Sequence, residues 1–181
     1  MDAPTLIRTL QEAVPRAAFE EAPTVDLHTT IYASRDELPA TCRALRDHAD
    51  LRFDLLFELT AADYHPREPR YELVYMFVSI AHKFRLRMKV RLPGEDAHAA
   101  TVSNIWPSAN WLEREVWDLF GIVFDGHPDP RRLLMPEDWD GFPLRKDYPV
   151  QIRMKPQVAQ PLEVTEAEFR ANLEKDRLTR R

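Results

Sequence analysis

The sequence predicts an α+β fold: a mostly antiparallel sheet with helices on one face, followed by an extended C-terminal segment that wraps a partner. Residues 51–59 and 85–92 alternate apolar and polar side chains, the period of strands with one solvated face. Apolar residues recur at helical spacing near the N-terminus, after residue 37 and after residue 108. From residue 121 onward, glycines and prolines disfavour regular helix and central strand.

A first helix is predicted after Asp2 and Pro4, which are residue types that favour a helix start. Pro15 ends it, and its apolar face consists of Leu6, Leu10 and Val14. A strand is predicted next, because alternate positions carry Val25, Leu27, Thr29 and Ile31. Ser34 and Glu37 then have the spacing of a capping box. They predict a second helix whose apolar positions are Leu38, Cys42, Leu45 and Ala49.

Three strands are predicted between residues 51 and 92. The first would bury one set of alternate side chains, namely Leu51, Phe53, Leu55, Phe57 and Leu59. Residues 71–80 are apolar on both faces, which predicts a central strand. The third strand carries a basic row on one face, consisting of Arg85, Arg87, Lys89 and Arg91. Short connections between these strands favour antiparallel pairing. The basic row is interpreted as a solvated or partner-facing surface, with anionic lipid or phosphate as the alternative ligand.

A third helix is predicted from Ser108, as its N-cap, to Leu119, with Gly121 ending it. Its apolar stripe consists of Leu112, Val116 and Leu119. Trp117 and Phe120 lie roughly 100° further around the helix, so the apolar arc is wider than docking on one small sheet requires. This width predicts a second contact surface.

The chain is predicted to divide into an α+β domain at 1–120 and an interaction segment at 121–181. The segment is rich in proline and glycine yet carries large aromatic side chains, namely Phe124, Trp139, Phe142 and Tyr148. Soluble monomers rarely expose contiguous apolar patches of more than a few hundred Å². The segment is therefore expected to bury these side chains against a partner, although they could instead fold back on their own domain. Thr165 and Glu168 form a second capping box, which predicts a short helix near 165–175.

Composition narrows the classes of function. The 181 residues include a single cysteine, Cys42, which excludes a disulfide framework and any cysteine-ligated zinc or iron-sulfur centre built from this chain alone. A net charge of -5 argues against nucleic-acid binding. The sequence has no apolar run of about 18 residues and no secretory-signal pattern. We therefore expect it in the cytoplasm, or bound to a membrane complex from that side.

The residues from 113 to 149 carry a specific resemblance. Their fixed spacing brings together Glu113, Arg114, Glu115, Asp118, Leu119, Phe120, His127 and Arg131, and the run Pro-Leu-Arg-Lys-Asp-Tyr-Pro follows at 143–149. This pattern resembles the 30 kDa subunit of respiratory complex I, which is also called the C subunit of NADH-quinone oxidoreductase. Pro130 is a small departure, because members of that family more often carry leucine there.

The resemblance implies a non-catalytic, cofactor-free subunit of the peripheral arm of a proton-translocating complex. It implies docking against the subunits that form the quinone site and carry the terminal iron-sulfur centre. NADH, FMN, iron-sulfur clusters and quinone would belong to those other subunits. The chain would lie at the cytoplasmic face of the cell membrane, attached through the complex only.

The partner interface is predicted from the signature helix and the segment after it. Its residues are Glu113, Arg114, Glu115, Trp117, Asp118, Phe120, His127, Arg131, Arg132, Trp139, Phe142, Arg145, Lys146, Asp147 and Tyr148. Aromatic residues and arginines are favoured here because they dominate interface energetics. No catalytic, cofactor-binding or metal residue is predicted.

Three other interpretations remain open. The chain could be the equivalent subunit of a membrane-bound hydrogenase or of a quinone-linked dehydrogenase. Glu113, Glu115 and Asp118 could instead form the acid-base cluster of a free-standing enzyme; against this, Arg114 and Asp118 stand at i and i+4, where they are expected to pair on the helix surface. His127 between two aspartates could bind a metal, but no second histidine lies nearby.

Overall fold

A computed structural model describes residues 2–24, 26, 28–149 and 165–171. Its three long helices are α1 (Ala3–Ala13), α2 (Leu38–Asp47) and α3 (Ala109–Phe120). The strands are β1 (Phe19–Glu21), β2 (Thr29–Ala33), β3 (Leu55–Asp63), β4 (Tyr71–Ser79), β5 (Phe84–Leu92), β6 (His98–Ala100) and β7 (Val123–Asp125). The predicted α+β class is confirmed.

The main sheet has five strands in the order β1-β2-β5-β4-β3. The pairs β1–β2, β5–β4 and β4–β3 are antiparallel, and β2–β5 is parallel. As predicted, β4 lies in the interior of the sheet and β5 keeps its basic row on one face. Val25 and Leu27, predicted to begin β2, lie outside the described residues. Strands β1, β6 and β7 were not predicted from the sequence, and β6 and β7 form a separate parallel pair. Each has only three residues, which is too short to show a period.

The core lies on the sheet face that α1 and α2 cover. Alternate residues of the two long inner strands are fully buried there, namely Leu73, Tyr75 and Phe77 of β4 and Leu86, Met88, Val90 and Leu92 of β5. The helices contribute Leu6, Leu10, Leu38, Cys42 and Leu45, all at 0% exposure. Cys42 is thus a core residue, and burial raises the pKa of its thiol.

The starts of the two N-terminal helices differ from each other. The Asp2 carboxylate accepts the N–H of Thr5 at 3.2 Å, so the predicted start of α1 is confirmed. The predicted capping box before α2 is wrong. The side chain of Glu37, at the N-cap, makes no capping hydrogen bond, and the Ser34 hydroxyl instead accepts the N–H of Ala18 at 3.4 Å. The Ser34 hydroxyl is thus used in a tertiary contact sixteen residues upstream and is not available to cap α2.

The buried face predicted for residues 51–59 is confirmed at Leu51, Phe53 and Leu59, each 1% exposed, and wrong at the two positions between them. Leu55 and Phe57 are 42% and 40% exposed, while Leu56 and Leu59 are buried. The pairing with β4 shifts between Leu56 and Glu58, where a bulge places one extra residue in β3. One extra residue exchanges the two faces of a strand, so regular alternation assigned Leu55 and Phe57 to the wrong side.

The basic row of β5 forms ion pairs within the chain. Arg87 pairs with Asp26 at 2.6 Å, Lys89 with Glu72 at 2.8 Å and Arg91 with Glu20 at 3.1 Å. The Arg91 guanidinium also lies 3.6 Å from the centre of the Tyr32 ring. These local partners neutralise much of the row, which weakens its interpretation as a lipid or phosphate site.

Helix α3 packs along the edge strand β3, and side chains of the loop before α3 tie it to β3 and to the residue two positions before β3. The Ser108 hydroxyl donates to the Leu56 carbonyl at 2.7 Å, and the Trp106 indole N–H donates to the Phe53 carbonyl at 3.1 Å. Ser108 therefore holds the helix start against the sheet, and it makes no side-chain cap. Gly121 ends the helix as predicted, with φ of +73°.

The chain divides into two units, Met1–Tyr148 and Pro149–Arg181. The boundary predicted at residue 120 falls within the first unit, because residues 129–148 return to α3 and to the sheet. In the second unit a helix occupies 166–171, and Glu168 accepts from Thr165 while the Thr165 hydroxyl accepts the N–H of Glu168, as a capping box requires. The rest of the predicted helix, 172–175, lies outside the described residues. No helix in the described part of the chain is long and apolar enough to cross a membrane.

Candidate functional site

The signature residues of α3 and the residues that follow them form one connected structure. Residues 129–148, here called the returning segment, lie mostly outside regular secondary structure. Such a segment needs partners for its backbone polar groups wherever it is buried. Side chains of α3 supply several of these partners.

The Asp118 carboxylate organises the first part of the returning segment. Its Oδ2 atom accepts three consecutive backbone N–H groups, those of Leu133, Leu134 and Met135, at 2.9, 2.7 and 2.9 Å. Its Oδ1 atom accepts from Arg132 at 2.7 Å, and the side chain is fully buried. Burial alone raises the pKa of Asp118, but these hydrogen bonds outweigh it and hold the pKa below its usual value.

Arg114 fixes the same segment one turn earlier on the helix. Its guanidinium donates to the carbonyls of Arg131 and Arg132, both at 3.0 Å, and its side chain is 9% exposed. The predicted surface pair between Arg114 and Asp118 is therefore wrong. Each side chain points into the returning segment, because partners there satisfy more hydrogen bonds than a single exposed ion pair would.

Glu113 lies on the opposite side of α3 and is fully buried. Its Oε1 atom accepts the N–H of Val102 at 2.7 Å, and its Oε2 atom accepts the Thr101 hydroxyl. Burial raises the pKa of this carboxyl to about 7, despite the two hydrogen bonds that lower it. Burial, and secondarily the nearby Cys42 and Glu113, also raise the pKa of Tyr75. Glu113 thus connects α3 to the loop after β6.

His127 is held within the loop after β7. Its Nδ1 atom accepts the N–H of Asp129 at 3.0 Å, so Nε2 carries the proton and donates to the Asn110 carbonyl at 3.1 Å. Both ring nitrogens are therefore occupied by backbone groups. No group of three metal-ligating side chains is present among the described residues.

The end of the returning segment packs against the C-terminus of α3. Arg145 donates to the Phe120 carbonyl at 2.5 Å, and the N–H of Leu144 donates to the Leu119 carbonyl at 3.0 Å. The guanidinium of Arg145 lies 4.5 Å from the centre of the Phe142 ring. This close packing requires Gly121, because a Cβ there would lie 2.5 Å from atoms of Arg145 and Phe142.

A carboxylate of the sheet completes the attachment. Asp63, whose side chain is 1% exposed, accepts two hydrogen bonds from Arg70, at 3.0 and 2.9 Å, and the N–H of Lys146 at 2.9 Å. Arg70 also pairs with Asp147 at 2.7 Å. Asp63 and Arg70 were not predicted as site residues. They lie far from the signature in sequence, and only the folded chain brings them together.

The other predicted interface residues differ in how far their side chains are exposed to solvent. Trp117, Phe142, Trp139 and Tyr148 are partly buried against the chain itself, and the Trp117 and Phe142 rings meet edge to face at 6.5 Å. The Tyr148 hydroxyl donates to the Asp140 carbonyl. Arg131 is 76% exposed and pairs with Asp129. Glu115 is partly buried, and Phe120 is buried at 7% exposure.

Comparison with known proteins gives this arrangement a context. Residues 31–153 match the family described as the respiratory-chain NADH dehydrogenase 30 Kd subunit. The chain belongs to this family. All the signature residues lie inside the matched region. The C subunit of NADH-quinone oxidoreductase from Geobacter sulfurreducens is 49% identical over 123 residues, which are 67% of this chain and 75% of that protein.

Two further relatives of this 30 Kd subunit belong to larger proteins or assemblies. The C/D subunit of NADH-quinone oxidoreductase from Methylococcus capsulatus is 40% identical over 156 residues, which are 82% of this chain and 27% of that protein. A chain of the membrane-bound sulfane sulfur reductase, an archaeal respiratory membrane complex, has a TM-score of 0.68 at 26% identity; the match covers 81% of this chain and 85% of that one. The chain is thus related to subunits of membrane-bound respiratory complexes.

Proposed function

We propose that this chain is a non-catalytic, cofactor-free structural subunit of the peripheral arm of a proton-translocating NADH-quinone oxidoreductase. Its role is to dock against the subunits that form the quinone site and carry the terminal iron-sulfur centre. NADH, FMN, iron-sulfur clusters and quinone belong to the other subunits. The chain lies at the cytoplasmic face of the cell membrane and is attached only through the complex.

One observation carries the structural part of this proposal. The charged signature residues Glu113, Arg114 and Asp118 make their hydrogen bonds to backbone and side-chain groups of their own chain. A reaction centre needs a group within hydrogen-bond reach of a bound substrate. These three are enclosed instead, and their contacts hold an irregular segment in one shape. The signature therefore suits a subunit whose function is to present a binding surface to other subunits.

The partner is inferred from a relative. In Methylococcus capsulatus the related protein carries the double designation C/D, and this chain matches 27% of it. Two parts of one chain are held within reach of each other by the link between them. We therefore infer that the present chain contacts the protein equivalent to the D part, to which we assign the quinone site.

Affinity purification tests the proposal. A tag on the full chain should recover the NADH-oxidising, iron-sulfur and membrane subunits in constant ratio from gently solubilised membranes of the source organism. Quantitative mass spectrometry of the bound proteins provides the measurement. Recovery of the chain without these subunits would contradict the proposal.

A second assignment is favoured by the similarity to the archaeal sulfane sulfur reductase. The chain would then be the equivalent subunit of a related membrane-bound hydrogenase or quinone-linked dehydrogenase. The same purification separates the two assignments, because hydrogenase or reductase subunits would replace the NADH-oxidising subunits among the bound proteins.

The structure offers little support for a free-standing acid-base enzyme. Glu113 is at 0% exposure and Asp118 is occupied by four hydrogen-bond donors, so neither is open to a substrate. Of the three carboxylates, only Glu115 reaches the surface. Turnover by the purified chain, abolished by Glu115→Gln, would be required to revive this assignment.

A further inference from the structure

One surface of the chain combines exposed apolar side chains with a carboxylate that has no partner among the described residues. It consists of Trp111, Glu115, Leu134 and Leu144, here called the α3 face. Trp111 and Leu134 are each 59% exposed, and Leu144 is 51% exposed. Large apolar side chains that are exposed together mark interaction sites more often than isolated ones do.

Helix α3 and the residues bound to it connect the four residues. Trp111 and Glu115 are one turn apart on α3 and so lie on the same side. Leu134 lies next along this side, since its N–H is bound by Asp118, three residues after Glu115. Leu144 borders the far end, where its N–H donates to the carbonyl of Leu119.

The backbone that carries the two leucines is fixed before any partner binds. Three consecutive N–H groups on one carboxylate hold residues 133–135, and Arg145 anchored on the Phe120 carbonyl holds Leu144. A partner would therefore not have to order this backbone, which removes part of the entropic cost of association. The exposed side chains are presented at set positions.

The charge of the α3 face indicates the chemistry of the partner. Glu115 is partly buried and forms no hydrogen bond or ion pair with any other described residue. Two basic side chains of this region are engaged by their own chain: Arg114 donates to two backbone carbonyls and lies 5.1 Å from the centre of the Trp111 ring, and Arg132 pairs with Asp118. A carboxylate covered by a partner needs a cation or hydrogen-bond donors from that partner.

We propose that the α3 face is the docking surface for a neighbouring subunit, which presents a lysine or arginine to Glu115 and apolar side chains to Trp111 and the two leucines. This inference rests on the function proposed above and names the surface that performs it. A second copy of the chain fits less well, because a self-complementary contact centred here would bring together two copies of Glu115 without a cation. Trp111 is the expected hot spot, since tryptophan is enriched among residues that dominate binding.

The test compares tagged full-length chains carrying substitutions on and away from the face. The first variant combines Trp111→Ala with Glu115→Lys, which removes the hot spot and reverses the charge. The second is Glu115→Gln alone, a near-isosteric change that preserves the fold. The control is Ile80→Ala in the turn after β4, an apolar residue that is 68% exposed and lies off the face. Subunits retained after purification from solubilised membranes are quantified for each.

The double variant is expected to retain at least roughly tenfold fewer partner subunits than the wild-type chain, and the single variant several-fold fewer. The Ile80→Ala chain should retain the wild-type amount. Equal urea unfolding midpoints for the variants and the wild type would assign the loss to the interface. If the double variant retains as many partner subunits as the wild-type chain, the α3 face is not the docking surface, and the proposed function still stands. If the wild-type chain itself retains no subunits, the proposed function fails first.

Discussion

Asp118 and Arg132 form a buried ion pair at 2.7 Å, fourteen residues apart in sequence. The pair joins α3 to a segment that has almost no regular secondary structure. Arg132 also donates to the carbonyls of Trp139 and Gly141, at 2.8 and 3.3 Å, so one guanidinium ties two stretches of the returning segment to the helix. This junction explains why an irregular chain holds one shape here.

Replacement of Asp118 by asparagine should destabilise the chain strongly. The amide keeps the size of the side chain, but it leaves Arg132 without its counter-charge and weakens the acceptor for three N–H groups. Loss of one partner of a buried pair costs about 3 to 5 kcal/mol. Urea unfolding at pH 7 measures the change. Arg131→Gln, at an exposed pair, is the matched control and should leave the midpoint unchanged.

Because its pKa is raised, Glu113 should make the free energy of unfolding fall as pH rises. Its pKa of about 7 in the folded chain lies above the ordinary value of 4.5. Below pH 4.5 the carboxyl is protonated in both the folded and the unfolded chain, so this group does not reduce the free energy of unfolding there. Between these values the folded state keeps a proton that the unfolded chain has released, so stability falls as pH rises. The total loss is on the order of 3 kcal/mol.

The variant Glu113→Gln removes this titration. Unfolding free energies measured from about pH 5 to about pH 8, a range that brackets the raised pKa, should therefore decline less in the variant than in the wild type. Because glutamine keeps an oxygen that can accept the N–H of Val102, the chain should still fold. Parallel pH profiles for the two proteins would contradict the assignment of the raised pKa to Glu113.

Two glycines with similar backbone angles provide a paired test of the packing after α3. Gly121 and Gly126 have φ of +73° and +79°. Alanine at either position should cost about 1 kcal/mol in backbone strain. At Gly121 the added Cβ also meets Phe142 and Arg145 at 2.5 Å, whereas at Gly126 its nearest neighbour, Thr101, is at 3.6 Å. Gly121→Ala should thus lose roughly 1 to 3 kcal/mol more than Gly126→Ala, and equal unfolding midpoints would show that the segment does not pack as described.

The bond from Lys146 to Asp63 should protect a single amide from hydrogen exchange. In Asp63→Asn the acceptor for the N–H of Lys146 becomes neutral and the ion pair with Arg70 is lost. Exchange of that amide should accelerate at least roughly tenfold, as expected for a lost hydrogen bond to a charged group. The acceleration at Lys146 should exceed that of the amides of α1, which report only the change in global stability. Asp50→Asn, at a side chain that is 79% exposed, should change neither.

Much of the sheet was predictable because periodicity is local. The alternation along β5 and the apolar run of β4 required no knowledge of neighbours, and both predictions are confirmed. The face of β3 was not predictable, since the bulge between Leu56 and Glu58 is defined by its pairing with β4. Ser34 shows the same limit, because its hydroxyl bonds to Ala18 and does not cap the following helix.

The candidate site was predictable as a set of residues but not as a set of contacts. The signature spacing singled out Glu113, Arg114 and Asp118, but it could not show that Glu113 binds on one side of α3 and the other two on the opposite side. Their true partners lie 11 to 18 residues away, so the helical i, i+4 rule assigned Arg114 and Asp118 to each other. The link from Asp63 to Lys146 spans 83 residues and has no local signal at all.

We propose that the signature residues build the shape of the subunit and take no part in the reaction. The most direct measurement is the NADH-quinone activity per assembled complex in cells that carry Glu113→Gln in place of the wild-type chain, with the amount of complex determined on the same membranes. We predict that the amount of complex falls or stays the same while the activity of each complex is unchanged. Full assembly with activity per complex reduced by tenfold or more would overturn this proposal and would assign Glu113 a part in the reaction.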